Sequence, residues 1–181
     1  VEFYSLPQCV GYIAFVLGFI AFLQKEDRPL KFFVGLESIA YTVHFSLLGN
    51  PTAAASALLT SLRSFLALKT RSSLVAVVVI VANVGIGLML TKSLFGWLPV
   101  IGSCVSTYAI FTMKGIPMRL VILSSTFCWL ANNILSGSIG GTLLETVIAI
   151  VNTSTVLRMW RSAALERSGD PAGELAPISK P

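Results

Sequence analysis

Residues 73–90 read SLVAVVVIVANVGIGLML, eighteen positions without a charged side chain. A bilayer core needs about 20 apolar residues rising about 1.5 Å each. A water-facing helix of this size would need a polar side, and this one has none. The stretch therefore predicts a transmembrane helix. Similar runs recur before and after it. Charged residues make up only 12% of the chain and hydrophobic ones 55%, whereas soluble domains carry about 25% charged residues.

Punctuation divides the remaining runs. Pro7, Pro29, Pro51, Pro99 and Pro117 suit first helical turns, where a missing N–H breaks no bond. Gly49-Asn50-Pro51 and Gly137 to Gly141 are turn chemistry. The expected spans are 7–24, 29–48, 51–69, 73–90, 97–113, 117–136 and 142–160. A polar, mobile tail should occupy 162–181, where Gly169, Asp170, Pro171, Pro177 and Pro181 fall.

Two of these regions echo each other. Tyr41, His44, Leu47 and Gly49 answer to Trp129, Asn132, Leu135 and Gly137, 88 positions later. With one residue inserted after that glycine, Arg63 answers to Asn152 and Lys69 to Arg158. The chain then reads as repeat one (1–72), a linker helix (73–92) and repeat two (93–161). Three crossings reverse the side on which the chain sits. A second copy in the same orientation needs one extra crossing, and the linker supplies it. The expected fold class is all-α integral membrane, with seven transmembrane helices as two parallel three-helix repeats joined by a linker, 3+1+3.

The net charge of +5 bears on topology. Lys25, Arg28, Lys31, Lys69, Arg71, Lys114, Arg119, Arg158, Arg161, Arg167 and Lys180 fall on one side of this plan, and Lys92 alone on the other. The bias predicts a cytoplasmic C-terminus and a periplasmic N-terminus. No basic cluster forms a polar face, so nucleic acid is set aside as a partner. No cleavable leader is visible, and a first residue other than Met reads as a processed or trimmed N-terminus. Trp97 and Trp160 fit interfacial anchors.

Polar residues inside lipid are costly, about 2.5–3.5 kcal/mol for a charge at mid-bilayer on insertion scales. Glu37, Arg63 and Glu145 are such residues. Glu37, Tyr41 and His44 share one helical face, as do Thr52, Ser56, Thr60 and Arg63. Ser125, Trp129 and Asn132 form a matching stripe, with Asn133 adjacent, and Glu145, Asn152 and Thr155 lie near one line. The stripes should face each other, as a polar path or as a hydrogen-bonded helix contact. On the first reading, His44, Arg63, Asn132 and Asn152 contact substrate between walls of Tyr41 and Trp129. Glu37 and Glu145 then serve proton or charge coupling. On the second, Glu37 or Glu145 pairs with Arg63 to satisfy buried charge. Asn83, Gly85 and Gly87 read as a close helix contact.

No enzyme constellation is present. A single histidine excludes a two-histidine metal site, and GxSxG, Walker A and HExxH motifs are lacking. Cys9, Cys104 and Cys128 lack metal-ligand spacing and read as small packing residues. No cofactor or metal is expected.

The stretches His44-Phe45-x-Leu47-Leu48-Gly49, Ala55-Ser56-Ala57-x-Leu59, Leu98-Pro99-Val100-Ile101-Gly102 and Gly137-Ser138-Ile139-Gly140-Gly141-Thr142 resemble the bacterial inner-membrane YgjV family, up to about Arg161. This resemblance implies the bacterial inner membrane and carries no activity with it. The three-one-three plan is more distantly similar to the SWEET and PQ-loop transporters (MtN3-like), and Pro7-Gln8 matches a PQ dipeptide. That likeness implies gating roles for Pro7, Pro29, Pro99 and Pro117, although Pro7 and Pro99 fall nearer helix starts. It also implies a substrate asparagine at Asn152, with Arg63 standing where its partner would be.

The expectation is a small transporter of a polar or anionic solute, working by alternating access between the repeats. Its partners are that solute and the bilayer, with a homo-oligomer left open. The competing expectation is a non-transporting receptor or assembly partner on the same fold.

Overall fold

The computed structural model describes residues 3–24, 27–70, 72–113 and 115–168. Lys25, Arg71, Lys114, Lys180 and the tail from Gly169 onward lie outside the described residues. Seven α-helices appear among them: α1 Leu6–Leu23, α2 Asp27–Leu47, α3 Pro51–Leu66, α4 Ser73–Leu90, α5 Leu98–Thr112, α6 Gly115–Leu135 and α7 Ile139–Ser168. A 3-10 turn, Leu94–Trp97, leads into α5. The described residues contain no strand.

Local chemistry sets the boundaries. Gly49 and Gly137 adopt φ of 72° and 68°, a region that favours glycine, and end α2 and α6. Asn50 caps α3 by accepting from the Ala53 N–H at 3.0 Å. Ser138 does the same for α7, its Oγ accepting from the Gly141 N–H at 3.2 Å. Pro7 and Pro99 sit in the first turns of α1 and α5, and Pro29 and Pro117 are the third residues of α2 and α6. All four lie where proline starts a helix without breaking one.

Two ends differ from the sequence expectation. α3 stops at Leu66, and residues 67–69 close a turn through the Ala67 N–H to Arg63 O bond of 2.8 Å. α7 runs on to Ser168 instead of ending near Trp160. Ala163, Ala164, Leu165, Glu166 and Arg167 are strong helix formers, and neither Gly nor Pro interrupts them.

Among the described residues four stretches are long and apolar enough to cross a bilayer: Ser73–Leu90, Leu94–Thr112, Gly115–Leu135 and Ile139–Ala164. α1 offers a shorter apolar stretch, Leu6–Ala21. α2 carries Arg28, Lys31 and Glu37, and α3 has only 16 residues.

Six helices close a ring. In order around it, α1 touches α2, α2 touches α3, α3 touches α5, α5 touches α6, α6 touches α7, and α7 returns to α1. α4 lies outside, against α3 and α5. It buries Ala76, Val79, Asn83 and Gly87, a single stripe at helical spacing. Leu74, Val81 and Leu88 point outward, as suits lipid. Asn83 accepts from Ser56 Oγ at 2.9 Å and donates to Val100 O at 3.1 Å, tying α4 to α3 and α5. Inside the ring, Ala53, Ala54 and Ala57 let α3 approach Tyr41 and Phe45 closely.

Candidate functional site

The ring encloses a cavity of about 660 Å³, a size that suits a small-molecule ligand. Its walls come from α2, α3, α5, α6 and α7. Toward one end of the bundle it reaches Lys31, Ala67, Met113 and Gly115, where α2 and α6 begin and α3 and α5 finish. Toward the other it stops at Phe45, Trp129 and Asn133.

Two layers lie across the closed end. The inner layer is aromatic. Tyr41 stacks on Phe45 with centroids 5.5 Å apart, and Phe45 stacks on Trp129 at 6.1 Å. The outer layer is polar. His44, fully buried, bonds Pro7 O through Nδ1 at 2.6 Å and Ser138 Oγ through Nε2 at 2.7 Å. A carbonyl only accepts, so Nδ1 carries the proton, and the neutral ring accepts from the serine hydroxyl at Nε2. Asn50 donates to Asn132 Oδ1 at 3.0 Å and to Ser136 Oγ at 2.8 Å. Gln8 donates to Gly137 O at 2.7 Å and accepts from the Ile139 N–H at 3.1 Å. α1 and α7 can meet this closely because a Cβ at Gly140 would collide with the Gly11 backbone.

These bonds are reciprocal. Positions 44 and 132 lie 88 apart, and so do positions 50 and 138. His44 binds Ser138, while Asn132 binds Asn50. Each half thus offers a residue from its second helix to the cap of the other half's third helix.

The cavity itself is lined by ionisable side chains. Arg63, on α3, is 5% exposed and reaches α5, where Nη1 donates to Thr107 Oγ1 at 2.8 Å and to Ser106 Oγ at 3.2 Å. Both hydroxyls give their own protons to Ser103 O, at 2.6 and 3.1 Å, so lone pairs face the guanidinium. Neutral oxygens solvate the charge without cancelling it. Glu37 on α2 and Glu145 on α7 line the same cavity. The Glu37 carboxyl packs against Gly18 of α1, where a Cβ would meet it at 3.1 Å. Tyr41 lines the cavity too, and among the described residues its buried hydroxyl has no hydrogen-bond partner.

The structure therefore brings Glu37, Tyr41, Arg63, Trp129 and Glu145 around one space. His44, Asn132 and Asn152 are not among its lining. The first two belong to the polar layer just described. Asn152 is clasped to α6, donating to Arg119 O at 2.9 Å and accepting from Arg119 Nη1 at 3.4 Å. Thr155 turns its hydroxyl back to Val151 O at 2.8 Å. Ser106, Thr107 and Gln8 were not singled out by the polar stripes. The i, i+3, i+4 spacing of Ser103, Ser106 and Thr107 was the available signal. Among the described residues no three His, Cys, Asp or Glu side chains gather as metal ligands. Cys9, Cys104 and Cys128 are free.

A family model described as bacterial inner membrane protein, the YgjV type, matches residues 5–163. The inner membrane protein YgjV of Escherichia coli (strain K12) is 42% identical over 158 residues, which is 87% of this chain and 86% of that protein. No solved structure matches.

Proposed function

The chain belongs to the YgjV family of bacterial inner-membrane proteins, and from that premise we propose that it carries a small polar or anionic solute across this membrane by alternating access. The observation that carries the proposal is the enclosed, charged cavity, which reaches one end of the bundle and is shut at the other. Among the described residues Arg63 bonds hydroxyls alone, and a guanidinium without a counter-charge in a membrane interior is costly. A solute pathway accounts for Arg63 where packing does not.

In this reading all seven helices cross the membrane as two parallel three-helix repeats, with α4 as linker. The reciprocal His44–Ser138 and Asn50–Asn132 bonds support it, because a two-fold axis between repeats would generate one from the other. Arg28, Lys31, Lys69 and Arg119 lie at the cavity's mouth end and Lys92 at the closed end. The positive-inside rule then turns the mouth to the cytoplasm, with the N-terminus periplasmic. Exchange of the closed end would open the cavity to the other side, by parting the aromatic layer and the polar layer together.

The test is reconstitution into liposomes followed by a counterflow screen of labelled small solutes. Solute exchange that falls at least tenfold in Arg63→Gln is the expected result. Exchange that Arg63→Gln leaves intact would remove the pathway from this cavity. A receptor or assembly partner would show binding or complex formation with no exchange at all.

A further inference from the structure

The cavity's charges are sorted by wall. Four charged side chains line it, the basic Lys31 and Arg63 and the acidic Glu37 and Glu145. Their formal charges cancel, so the lining as a whole favours neither a net anion nor a net cation. Their placement is far from uniform. Glu37 and Glu145 stand on α2 and α7, the two helices that flank α1 in the ring. Arg63 is fastened to α5, which stands opposite α1. Lys31 is already engaged at the rim, donating to Ala67 O at 3.2 Å.

Each wall is incomplete by itself. Both side-chain hydrogen bonds of Arg63 among the described residues leave from Nη1. A guanidinium has five N–H donors, and its planar fork suits a carboxylate. On the acidic wall Tyr41 is 8% exposed, lines the cavity, and its hydroxyl has no partner among the described residues. Carboxylates accept only, and a tyrosine oxygen accepts as well as donates. Phe45 and Trp129, stacked on each other, close this end of the cavity. The rest of the lining is mostly apolar, Val34, Ile110 and Ile122 among it, with hydroxyls such as Ser125 and Thr126.

From these opposed walls we infer that the cavity binds a small zwitterion with an apolar body, of the amino-acid class. Its ammonium group lies against Glu37, Glu145 and Tyr41. Its carboxylate lies on Arg63, and its apolar part fills the space between. Three N–H donors of a primary ammonium match the acceptors of one wall. Two carboxylate oxygens match the fork on the other. This narrows the solute class of the same cavity and rests on the transport reading for its purpose, although the binding claim stands by itself.

The experiment uses the full chain in nanodiscs and a matched set of probes: L-leucine, L-leucinamide, 4-methylpentanoate and 4-methylpentanamide. These carry both charges, the ammonium alone, the carboxylate alone, and neither. L-Phenylalanine and its corresponding analogues form a second set. Binding is read by titration calorimetry and by thermal stabilisation. The zwitterion of at least one set should bind at least tenfold more tightly than either singly charged analogue. Arg63→Gln should erase the preference over the amide, and Glu145→Gln or Glu37→Gln the preference over the des-amino acid. The wild-type comparison decides even where a variant does not fold. Equal binding of a singly charged analogue, or no binding by either zwitterion, overturns the inference. Counterflow separates the two claims. Zwitterion binding without exchange overturns transport and keeps the site, whereas exchange of another solute without zwitterion binding does the reverse.

Discussion

The two ends of the cavity use polar residues in opposite ways. At the closed end the hydrogen bonds join neutral groups: His44 to Pro7 and Ser138, Gln8 to the α7 entry, Asn50 to Asn132 and Ser136, while Asn132 Nδ2 and Asn133 Oδ1 have no partner among the described residues. In the cavity the groups are ionisable, and the partners of Arg63 there are hydroxyls. Neutral paired groups in lipid hold helices together at little cost. Charged groups left without an opposite charge destabilise a fold, and their retention points to a ligand. We therefore read the closed end as a fastening and the cavity as a candidate site.

The comparison breaks if the fastening proves dispensable. His44→Ala should have the largest effect on stability. It leaves the buried Ser138 hydroxyl without its acceptor, removes the tie to Pro7 and opens a void, costing about 2–4 kcal/mol. Thermal unfolding in detergent would read it, and a change below the measurement error would sink the assignment. Asn50→Ala comes next, at about 1–2 kcal/mol, since Asn50 is partly exposed but loses its cap and its bonds to α6. Arg63→Gln sharpens the contrast from the other side. Removing an uncompensated buried charge should leave stability within about 1 kcal/mol of wild type, or raise it, while exchange collapses. A loss as large as that of His44→Ala would make Arg63 a structural residue.

Much of the architecture was legible before the fold was known. Apolar runs and Gly/Pro punctuation mark seven helices, because lipid permits few alternatives to helix. Glu37, Arg63 and Glu145 stand out for the same reason: a charge within an apolar run has no bland surface position to occupy. The placement of His44, Asn132 and Asn152 outside the cavity lining was not legible. Each is as polar and as deep as a site residue, and what separates the two cases is a partner. For His44 the partners are Pro7 and Ser138, 37 and 94 residues away, and only the packing of α1 and α7 brings them near. Ser106 and Thr107 escaped notice for the opposite reason. In helices, hydroxyls commonly bond their own backbone, so nothing local reveals that these two also cradle a guanidinium. The extension of α7 to Ser168 was readable from propensity alone and was masked by the polarity of its residues.

The central claim is that the cavity communicates with one side of the membrane and is fastened shut on the other. Its most direct test places a single cysteine at Ser106→Cys in a chain whose Cys9, Cys104 and Cys128 are replaced by serine. Labelling by a membrane-impermeant maleimide is then compared between inside-out vesicles and spheroplasts. We expect rapid labelling from the cytoplasmic face and little from the periplasmic face, with His44→Ala raising the periplasmic rate. Equal rates from both faces in the otherwise unaltered chain, or protection from both, would contradict the account.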